Sequence, residues 1–179
     1  MLILLGGFAG SGRTALAQAF AKRYGFHLYP IRDKRMRVFG KDQSGQVREK
    51  VLRPTEDAER LRIYKRVAED LHLFSKMYPD TIIEDSLHRR APREFLLKAA
   101  RGYFTDVAVV WIASVEEDTA DRILQMKNGA QEKLKGRLER KRAQEKEFQE
   151  FDPPVPTILC GDSLEEAVER LRAITEAVR

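Results

Sequence analysis

Short apolar runs alternate with longer amphipathic stretches from one end of the chain to the other. All the apolar runs after the first are short and rich in β-branched or aromatic residues, which is typical of buried strands. Strands that alternate with helices predict an α/β fold in which helices flank a parallel sheet. We predict five strands, at Leu2–Leu5, Phe26–Tyr29, Thr81–Glu84, Val107–Ile112 and Thr157–Cys160.

The amphipathic stretches predict helices with clear start and stop signals. The first should begin in a glycine-rich loop and end at Gly25, and the last should begin at Ser163. Two more are expected at about 56–78 and from Pro92 to Gly102. For the helix at 56–78 the spacing predicts a buried face made of Leu61, Tyr64, Ala68, Leu71 and Met77.

No linker interrupts this alternation, so residues 1–179 are predicted to form one domain. The segment from Gln131 to Glu150 is different because it is almost entirely polar, and such a helix is weakly anchored. Two interpretations are open for it. It is either a helical lid, which we place at about 122–150, or an exposed helix with many ion pairs.

The positive charge is concentrated in one part of the chain. The formal net charge is +5, and between Arg32 and Arg53 eight basic residues stand against three acidic ones, an excess of five. This distribution favours an acidic partner such as a phosphate or a nucleic acid, and a solvated basic helix and loop is the alternative.

Targeting and redox signals are few. The apolar run Leu2–Leu5 is too short for the core of a signal peptide, and no other stretch could span a bilayer. The single cysteine, Cys160, cannot form an internal disulfide bond, and no Cys/His cluster has the spacing of a zinc site. We expect a cytoplasmic protein without a membrane partner.

The strongest chemical signal is a glycine-rich loop between the first strand and the first helix. Its sequence is Gly7-Phe8-Ala9-Gly10-Ser11-Gly12-Arg13-Thr14, which matches G-x-x-x-x-G-K-[ST] except that Arg13 replaces the lysine. Glycines let backbone N–H groups approach phosphate oxygens, and the helix N-terminus adds its positive dipole end. These eight residues are predicted to bind nucleotide phosphates, with Thr14 on magnesium and Arg13 at the terminal phosphates.

Arg13 leaves three interpretations open. Arginine keeps the charge but spreads it over a rigid planar fork, so its donors need not lie where an ammonium group would lie. The loop belongs to an active phosphotransferase, to a degenerate nucleotide-binding protein, or to a simple strand-to-helix turn. We take active catalysis as the leading hypothesis.

Two carboxylates follow predicted strands at the carboxyl edge of the sheet, where parallel sheets bind ligands. Asp33 comes just after the second strand and is predicted to orient and deprotonate an acceptor hydroxyl; a helix N-cap is the alternative, and both roles are compatible. Asp85 ends the third strand and is predicted to hold magnesium through water.

Basic residues near these carboxylates are candidate ligands for an anionic acceptor. Arg35 and Arg37 follow Asp33, and Arg89 and Arg93 follow the third strand. For the last two, capping and solubilising the next helix is the alternative. In the lid candidate, Arg122 is the catalytic candidate and Arg137 the nucleotide-binding one, since cations there could neutralise charge on the transferred group.

These motifs, in this order, resemble the small P-loop kinases grouped with polynucleotide kinase, chloramphenicol phosphotransferase, the zeta toxins and predicted kinases with an AAA-type ATP-binding domain. The resemblance covers nearly the whole chain, and its first stretch is specific for phosphate binding. Four stretches carry it: Gly7–Thr14, Arg32–Arg37, Thr81–Ser86 with Arg89, Arg90 and Arg93 after it, and Val109–Ser114 leading to Asp121 and Arg122.

The resemblance implies a P-loop nucleoside triphosphate hydrolase/kinase fold with a helical lid, in which the strand ending at Asp85 lies beside the phosphate-loop strand. It also implies ATP and magnesium as co-substrates and Asp33 as the acceptor-side base. The function expected is transfer of the γ-phosphoryl group to a hydroxyl of a small or nucleotide-like anionic acceptor, an oligonucleotide 5′ end included. The alternative is a catalytically degenerate nucleotide-binding or nucleic-acid-binding protein.

Overall fold

A five-stranded parallel sheet forms the centre of the fold in a computed structural model of the chain. The structure describes residues 1–31, 33–34, 38, 57–113, 131–159 and 163–179, with the backbone alone for 131–135 and 137. Its strands are β1 (Leu2–Gly7), β2 (His27–Leu28), β3 (Thr81–Glu84), β4 (Val107–Ala113) and β5 (Thr157–Leu159). They are ordered β2-β3-β1-β4-β5 across the sheet.

Five labelled helices flank or extend from this sheet. They are α1 (Arg13–Tyr24), α2 (Asp57–Met77), α3 (Arg90–Arg101), α4 (Gln131–Lys146) and α5 (Leu164–Val178). The predicted start and stop signals are confirmed at the end of α1 and at the start of α5. Gly25 closes α1 with a left-handed φ of 75°, and Ser163 and Glu166 form a capping box at the start of α5.

The central strand β1 shows why the fold has three layers. Its residues Leu2 to Leu5 are at most 1% exposed, and alternate side chains point to opposite faces of the sheet. Leu2 and Leu4 belong to the core formed with α2 and α3, whereas Ile3 and Leu5 belong to the core formed with α1 and α5. A continuous apolar run is therefore required at this strand.

The observed fold confirms the predicted class and the predicted neighbour of the phosphate-loop strand. β1 pairs with β3 on one side and β4 on the other, and all strand pairs are parallel. That residues 1–179 form one domain stays a prediction. Among the helices that the structure describes, none has both the length and the apolar character needed to cross a membrane.

The predicted buried face of α2 was partly wrong. Tyr64 and Leu71 are buried, but Met77 is 65% exposed, and the face is completed by Ile63 and Val67. The apolar residues of α2 fit more than one helical stripe, and packing against β1 and α3 selects the one that contains Ile63.

Candidate active site

The glycine-rich loop has the backbone that the motif predicts. Gly10 and Gly12 have φ values of 88° and 82°, in the left-handed region that favours glycine. A Cβ atom on Gly7 would lie 2.5 Å from Ser11 Oγ and 2.8 Å from the Ile112 carbonyl oxygen, so no larger residue fits there. The loop therefore folds tightly onto the end of β4 before it enters α1.

The start of α1 carries donors that the protein does not use. Gly12 is the N-cap and provides no side-chain hydrogen bond. Within the described chain, the backbone N–H groups of Arg13 and Thr14 have no hydrogen-bond partner. Ser11 Oγ is also without a partner among the described residues, although Ser11 is only 1% exposed. Unpaired donors at a helix N-terminus fit an anion, and a chain of phosphates supplies one.

Arg13 folds back toward the sheet. Its Nε donates to Glu84 Oε2 at 2.7 Å, and its Nη1 donates to the Gly7 carbonyl oxygen. The Arg13 and Glu84 side chains are 16% and 20% exposed, so the pair is largely removed from water. Arg13 thus ties the loop to the end of β3 with part of its donor set, and its role at the terminal phosphates stays a prediction.

Asp85 lies in a buried polar cluster at the end of β3. It is 2% exposed; its Oδ1 accepts from the Ser86 backbone N–H at 2.7 Å, and its Oδ2 accepts from the Tyr64 hydroxyl at 2.9 Å. Ser86 Oγ lies 2.9 Å from Nη1 of Arg60, which donates to it. Two residues of α2 therefore hold this cluster: Tyr64 contacts the carboxylate, and Arg60 contacts the neighbouring Ser86.

These residues fit magnesium only as part of a larger ligand set. Thr14 is exposed at the start of α1, whereas both oxygens of Asp85 already accept hydrogen bonds. Among the described residues, no group of three His, Cys, Asp or Glu side chains could enclose a metal ion. Magnesium usually keeps several waters and binds through one or two protein groups plus phosphates, which agrees with Thr14 and a water-mediated Asp85.

His88 lies beside this cluster and is 1% exposed. Its Nε2 is 3.5 Å from Glu147 Oε2. Burial and the nearby Arg60 guanidinium lower the pKa of His88 to about 4 and outweigh the opposite effects of Asp85 and Glu147. His88 is therefore neutral near pH 7.

Asp33 follows β2 at the carboxyl end of that strand, and its role toward an acceptor stays a prediction. It is exposed, and its backbone N–H donates to the Pro30 carbonyl oxygen at 3.0 Å. Because Ile31 is already helical, Asp33 lies within the helical residues and is not their N-cap. Four other predicted site groups lie outside the described residues: Arg35, Arg37, Arg122 and the side chain of Arg137.

Residues 147–151, here called the closing segment, pack against the glycine-rich loop through aromatic rings. The Phe148 ring centroid is 5.4 Å from that of Phe8 and 4.9 Å from that of Trp111. Phe8 and Trp111 are themselves 5.0 Å apart, and Phe151 is 5.5 Å from Trp111. The segment therefore forms one wall of the loop.

Arg93 holds the closing segment from the other side. It is 5% exposed, and its guanidinium donates to the carbonyl oxygens of Leu87, Gln149 and Glu150 at 2.8–2.9 Å. It also lies 3.9 Å from the centroid of the Phe151 ring. These contacts give Arg93 a structural role, and acceptor binding by Arg93 stays a prediction.

Arg89 joins three parts of the structure. Its Nη1 is 3.1 Å from Asp57 Oδ1 on α2, and its Nη2 is 2.9 Å from Glu147 Oε2 in the closing segment. The side chain is 23% exposed, so part of it faces solvent. Acceptor binding by Arg89 likewise stays a prediction.

The structure adds site residues that the sequence analysis missed. Glu84 pairs with Arg13, Arg60 and Tyr64 hold the Asp85 cluster, and Gln144 of α4 accepts a hydrogen bond from the Ala9 backbone N–H at 2.8 Å. A signal existed for Glu84, which precedes Asp85 at the same strand end. None existed for Gln144, which lies in a helix that is polar on all sides.

Solved structures share this architecture over nearly their full length. A sugar kinase from Janibacter sp. HTCC2649 is 19% identical, with a TM-score of 0.65, and the match covers 99% of this chain and 96% of that one. A gluconokinase from Sinorhizobium meliloti is 18% identical, with a TM-score of 0.62 and coverages of 98% and 93%. The APS kinase of Mycobacterium tuberculosis, in complex with AMPPNP and APS, is 14% identical, with a TM-score of 0.66 and coverages of 98% and 96%.

The chain has the P-loop kinase fold. No protein-family model matches the sequence, and no curated protein sequence matches it either. The P-loop kinase fold is thus established by architecture. The narrower resemblance to polynucleotide kinase, chloramphenicol phosphotransferase and the zeta toxins stays a prediction.

Proposed function

We propose that this protein is an ATP-dependent kinase that transfers the γ-phosphoryl group to a hydroxyl of a small, anionic acceptor. The observation that carries the proposal is the set of unused donors at the start of α1, including the buried Ser11 Oγ. The N–H groups at the start of α1 are open to water or to a ligand, whereas the buried Ser11 Oγ has no partner among the described residues; an anion in the loop would satisfy both. The P-loop kinase fold makes a nucleotide polyphosphate the best candidate.

The acceptor would lie at the carboxyl ends of β2 and β3. Asp33 is exposed there, and two basic residues lie at the same end of the sheet: Arg89, which pairs with Asp57 and Glu147, and Lys34, which pairs with Asp70. The structures with the same fold have names that point to small molecules: a sugar kinase, a gluconokinase and an APS kinase. These names favour a small-molecule acceptor over an oligonucleotide.

In the proposed reaction, the Asp33 carboxylate takes the proton of the acceptor hydroxyl. The acceptor oxygen forms a bond to the γ-phosphorus, the bond from that phosphorus to the β,γ-bridging oxygen breaks, and ADP leaves. The loop residues Gly7–Thr14 would hold the phosphates. Magnesium, held by Thr14 and Asp85, would neutralise phosphate charge when bound.

Four predicted roles remain part of this proposal for residues outside the described structure. Arg122 would stabilise charge on the transferred group, and Arg137 would bind nucleotide. Arg35 and Arg37 would bind the acceptor together with Arg89 and Arg93.

The test is a transfer assay with γ-labelled ATP, magnesium and a panel of sugars, sugar acids, nucleosides and nucleotides, analysed by separating the products. The wild-type protein is expected to label one class of acceptor. Asp33→Asn should lower the transfer rate by about 10²–10⁴-fold and spare ATP binding, because it removes the base and keeps the size of the side chain.

Asp106→Asn is the matched control. Asp106 precedes β4 at the opposite edge of the sheet, so this variant should retain the wild-type rate. Full activity in Asp33→Asn would remove Asp33 from the mechanism. If no reaction yields a labelled acceptor and ATP stays intact, the proposal that this protein is a kinase is contradicted.

One observation favours a second candidate, a nucleotide-binding protein without transferase activity. The Arg13 guanidinium is engaged by Glu84 and by the Gly7 carbonyl oxygen, which draws the loop cation toward the sheet. ATP binding with no transfer and no hydrolysis would select this candidate. The same result in an Arg13→Lys variant would show that the arginine is not the cause.

A further inference from the structure

Gln144 joins α4 directly to the phosphate loop. Its side chain is partly exposed, and its Oε1 accepts from the Ala9 backbone N–H at 2.8 Å. A backbone N–H can only donate, so the Gln144 atom facing it must be the carbonyl oxygen. The amino group, Nε2, therefore points elsewhere. It has no acceptor among the residues that the structure describes.

The position of Ala9 indicates what Nε2 could bind. The unused donors of Ser11 and the first turn of α1 lie on the helix side of the loop, where the phosphates nearer the nucleoside would bind. Ala9 comes two residues after the end of β1, and Gly7, at that end, donates its backbone N–H to the carbonyl oxygen of Ser86 just beyond β3. The acceptor should bind at that edge of the sheet, so the terminal phosphate would face Ala9.

The contact is not needed to dock α4. Phe148, one turn after Gln144, packs on Phe8 and Trp111, and Glu147 pairs with Arg89. Lys141, one turn before Gln144, is 4% exposed and lies on the same side of the helix. Helix α4 is thus anchored by residues other than Gln144, which leaves the side-chain amide available for a ligand.

From this geometry we propose that Gln144 binds the terminal phosphate of the nucleotide. Its Oε1 keeps the Ala9 N–H in place, and its Nε2 donates to a non-bridging oxygen of that phosphate. The inference rests on the proposed function, because it requires a nucleoside triphosphate in the loop. It makes Gln144 a residue that distinguishes a triphosphate from a diphosphate.

The test compares Gln144→Glu with Ala143→Glu by titration calorimetry with ADP and with AMPPNP, each with magnesium. In Gln144→Glu the carboxylate can still accept from Ala9 but has no donor and adds negative charge beside the terminal phosphate. AMPPNP affinity is expected to fall about tenfold or more, and ADP affinity by less than about threefold. Ala143 precedes Gln144 in α4 and is exposed. Ala143→Glu therefore adds the same charge and should not lower AMPPNP affinity selectively.

Each other outcome points to a different error. Equal weakening of ADP and AMPPNP in Gln144→Glu would overturn the inference and leave the proposed function intact. Tighter binding of both nucleotides to Gln144→Ala would show that Gln144 blocks the loop, which also overturns it. If the wild-type protein binds neither nucleotide, the proposed function and the inference fail together.

A fold control keeps the result interpretable. The thermal unfolding midpoint of Gln144→Glu without nucleotide should equal that of the wild-type protein. If this variant is unfolded, Gln144→Met replaces it, since methionine has similar size and no donor. The same selective loss of AMPPNP affinity is expected in Gln144→Met, and unchanged AMPPNP affinity there would refute the role of Nε2.

Discussion

Glu84→Gln separates the structural effect of the Arg13 pair from its effect on nucleotide binding. Glu84 Oε2 accepts from Arg13 Nε at 2.7 Å, and both side chains are at most 20% exposed. Glutamine keeps the volume and an acceptor oxygen, so the hydrogen bond survives and only its charge assistance is lost. Hydrogen bonds to charged groups contribute roughly 1.5–3 kcal/mol and neutral ones roughly 0.5–1.5, so we expect a loss of about 1 kcal/mol in the free energy of unfolding.

The same change should strengthen ATP binding. Glu84 places a negative charge close to the loop that is proposed to bind several phosphate charges. We count only the nearest phosphate charge: at a separation of about 8 Å and an effective dielectric constant of about 40, removing the carboxylate charge relieves roughly 1 kcal/mol of repulsion. The dissociation constant for ATP should therefore fall about fivefold at low salt, with a smaller effect at high salt.

Urea unfolding and calorimetric titration with ATP measure the two effects separately. Glu69→Gln is the matched control, because Glu69 pairs with Arg66 on α2 with both side chains more than half exposed. That variant should change the free energy of unfolding by less than about 0.5 kcal/mol and leave ATP affinity unchanged. Weaker ATP binding in Glu84→Gln would refute the reasoning, since it would mean that Glu84 orients Arg13 toward the phosphates.

Two further predictions concern the residues behind the loop. His88 has a pKa of about 4 against an ordinary value of 6.5, so protons bind preferentially to the unfolded chain. The contribution of neutral His88 to the free energy of unfolding is fully present above about pH 6.5. It is lost as the pH falls, by roughly 2 kcal/mol between about pH 7 and pH 5. In urea unfolding, His88→Asn should lack this part of the pH dependence, and equal slopes in both proteins would contradict the assignment. Arg93→Lys should lower the free energy of unfolding by about 2–3 kcal/mol, since an ammonium group cannot reproduce the planar fork that reaches three carbonyl oxygens, and a loss below about 0.5 kcal/mol would contradict it.

The sequence predicted those parts of the fold that depend on local pattern. The apolar run at Leu2–Leu5, the glycines of the loop and the capping box at Ser163 each determine their own structure through period, φ preference or side-chain capping. That the strand ending at Asp85 lies beside the loop strand was implied by the resemblance to small P-loop kinases, and the pairing of β1 with β3 confirms it. The predicted lid at about 122–150 can be compared with the structure only from residue 131 onward, because residues 122–130 lie outside the described residues.

Other site contacts could not be predicted because they depend on how separate elements meet. Tyr64 was expected on the buried face of α2, and it is buried, but its hydroxyl also holds Asp85. Pairing of β1 with β3 sets Leu5 opposite Glu84, which places the Glu84 carboxylate within reach of Arg13. Neither Glu84 nor Arg13 alone determines how these strands pair. Gln144 reaches Ala9 because Phe148 anchors the end of α4, a contact over more than a hundred positions of sequence.

The replacement of lysine by arginine changes where the loop obtains its positive charge. Arg13 and Glu84 form a neutral pair, so the guanidinium contributes less to the field at the phosphates than an unpaired cation would. In the proposed function, the uncapped α1 N-terminus would supply part of the missing charge and would act mainly on the phosphates nearest to it. In that function, the terminal phosphate would then depend on donors from another element, and α4 contacts the loop through Gln144. A P-loop that carries arginine in this position should therefore tolerate changes in α4 less well than one that carries an unpaired lysine.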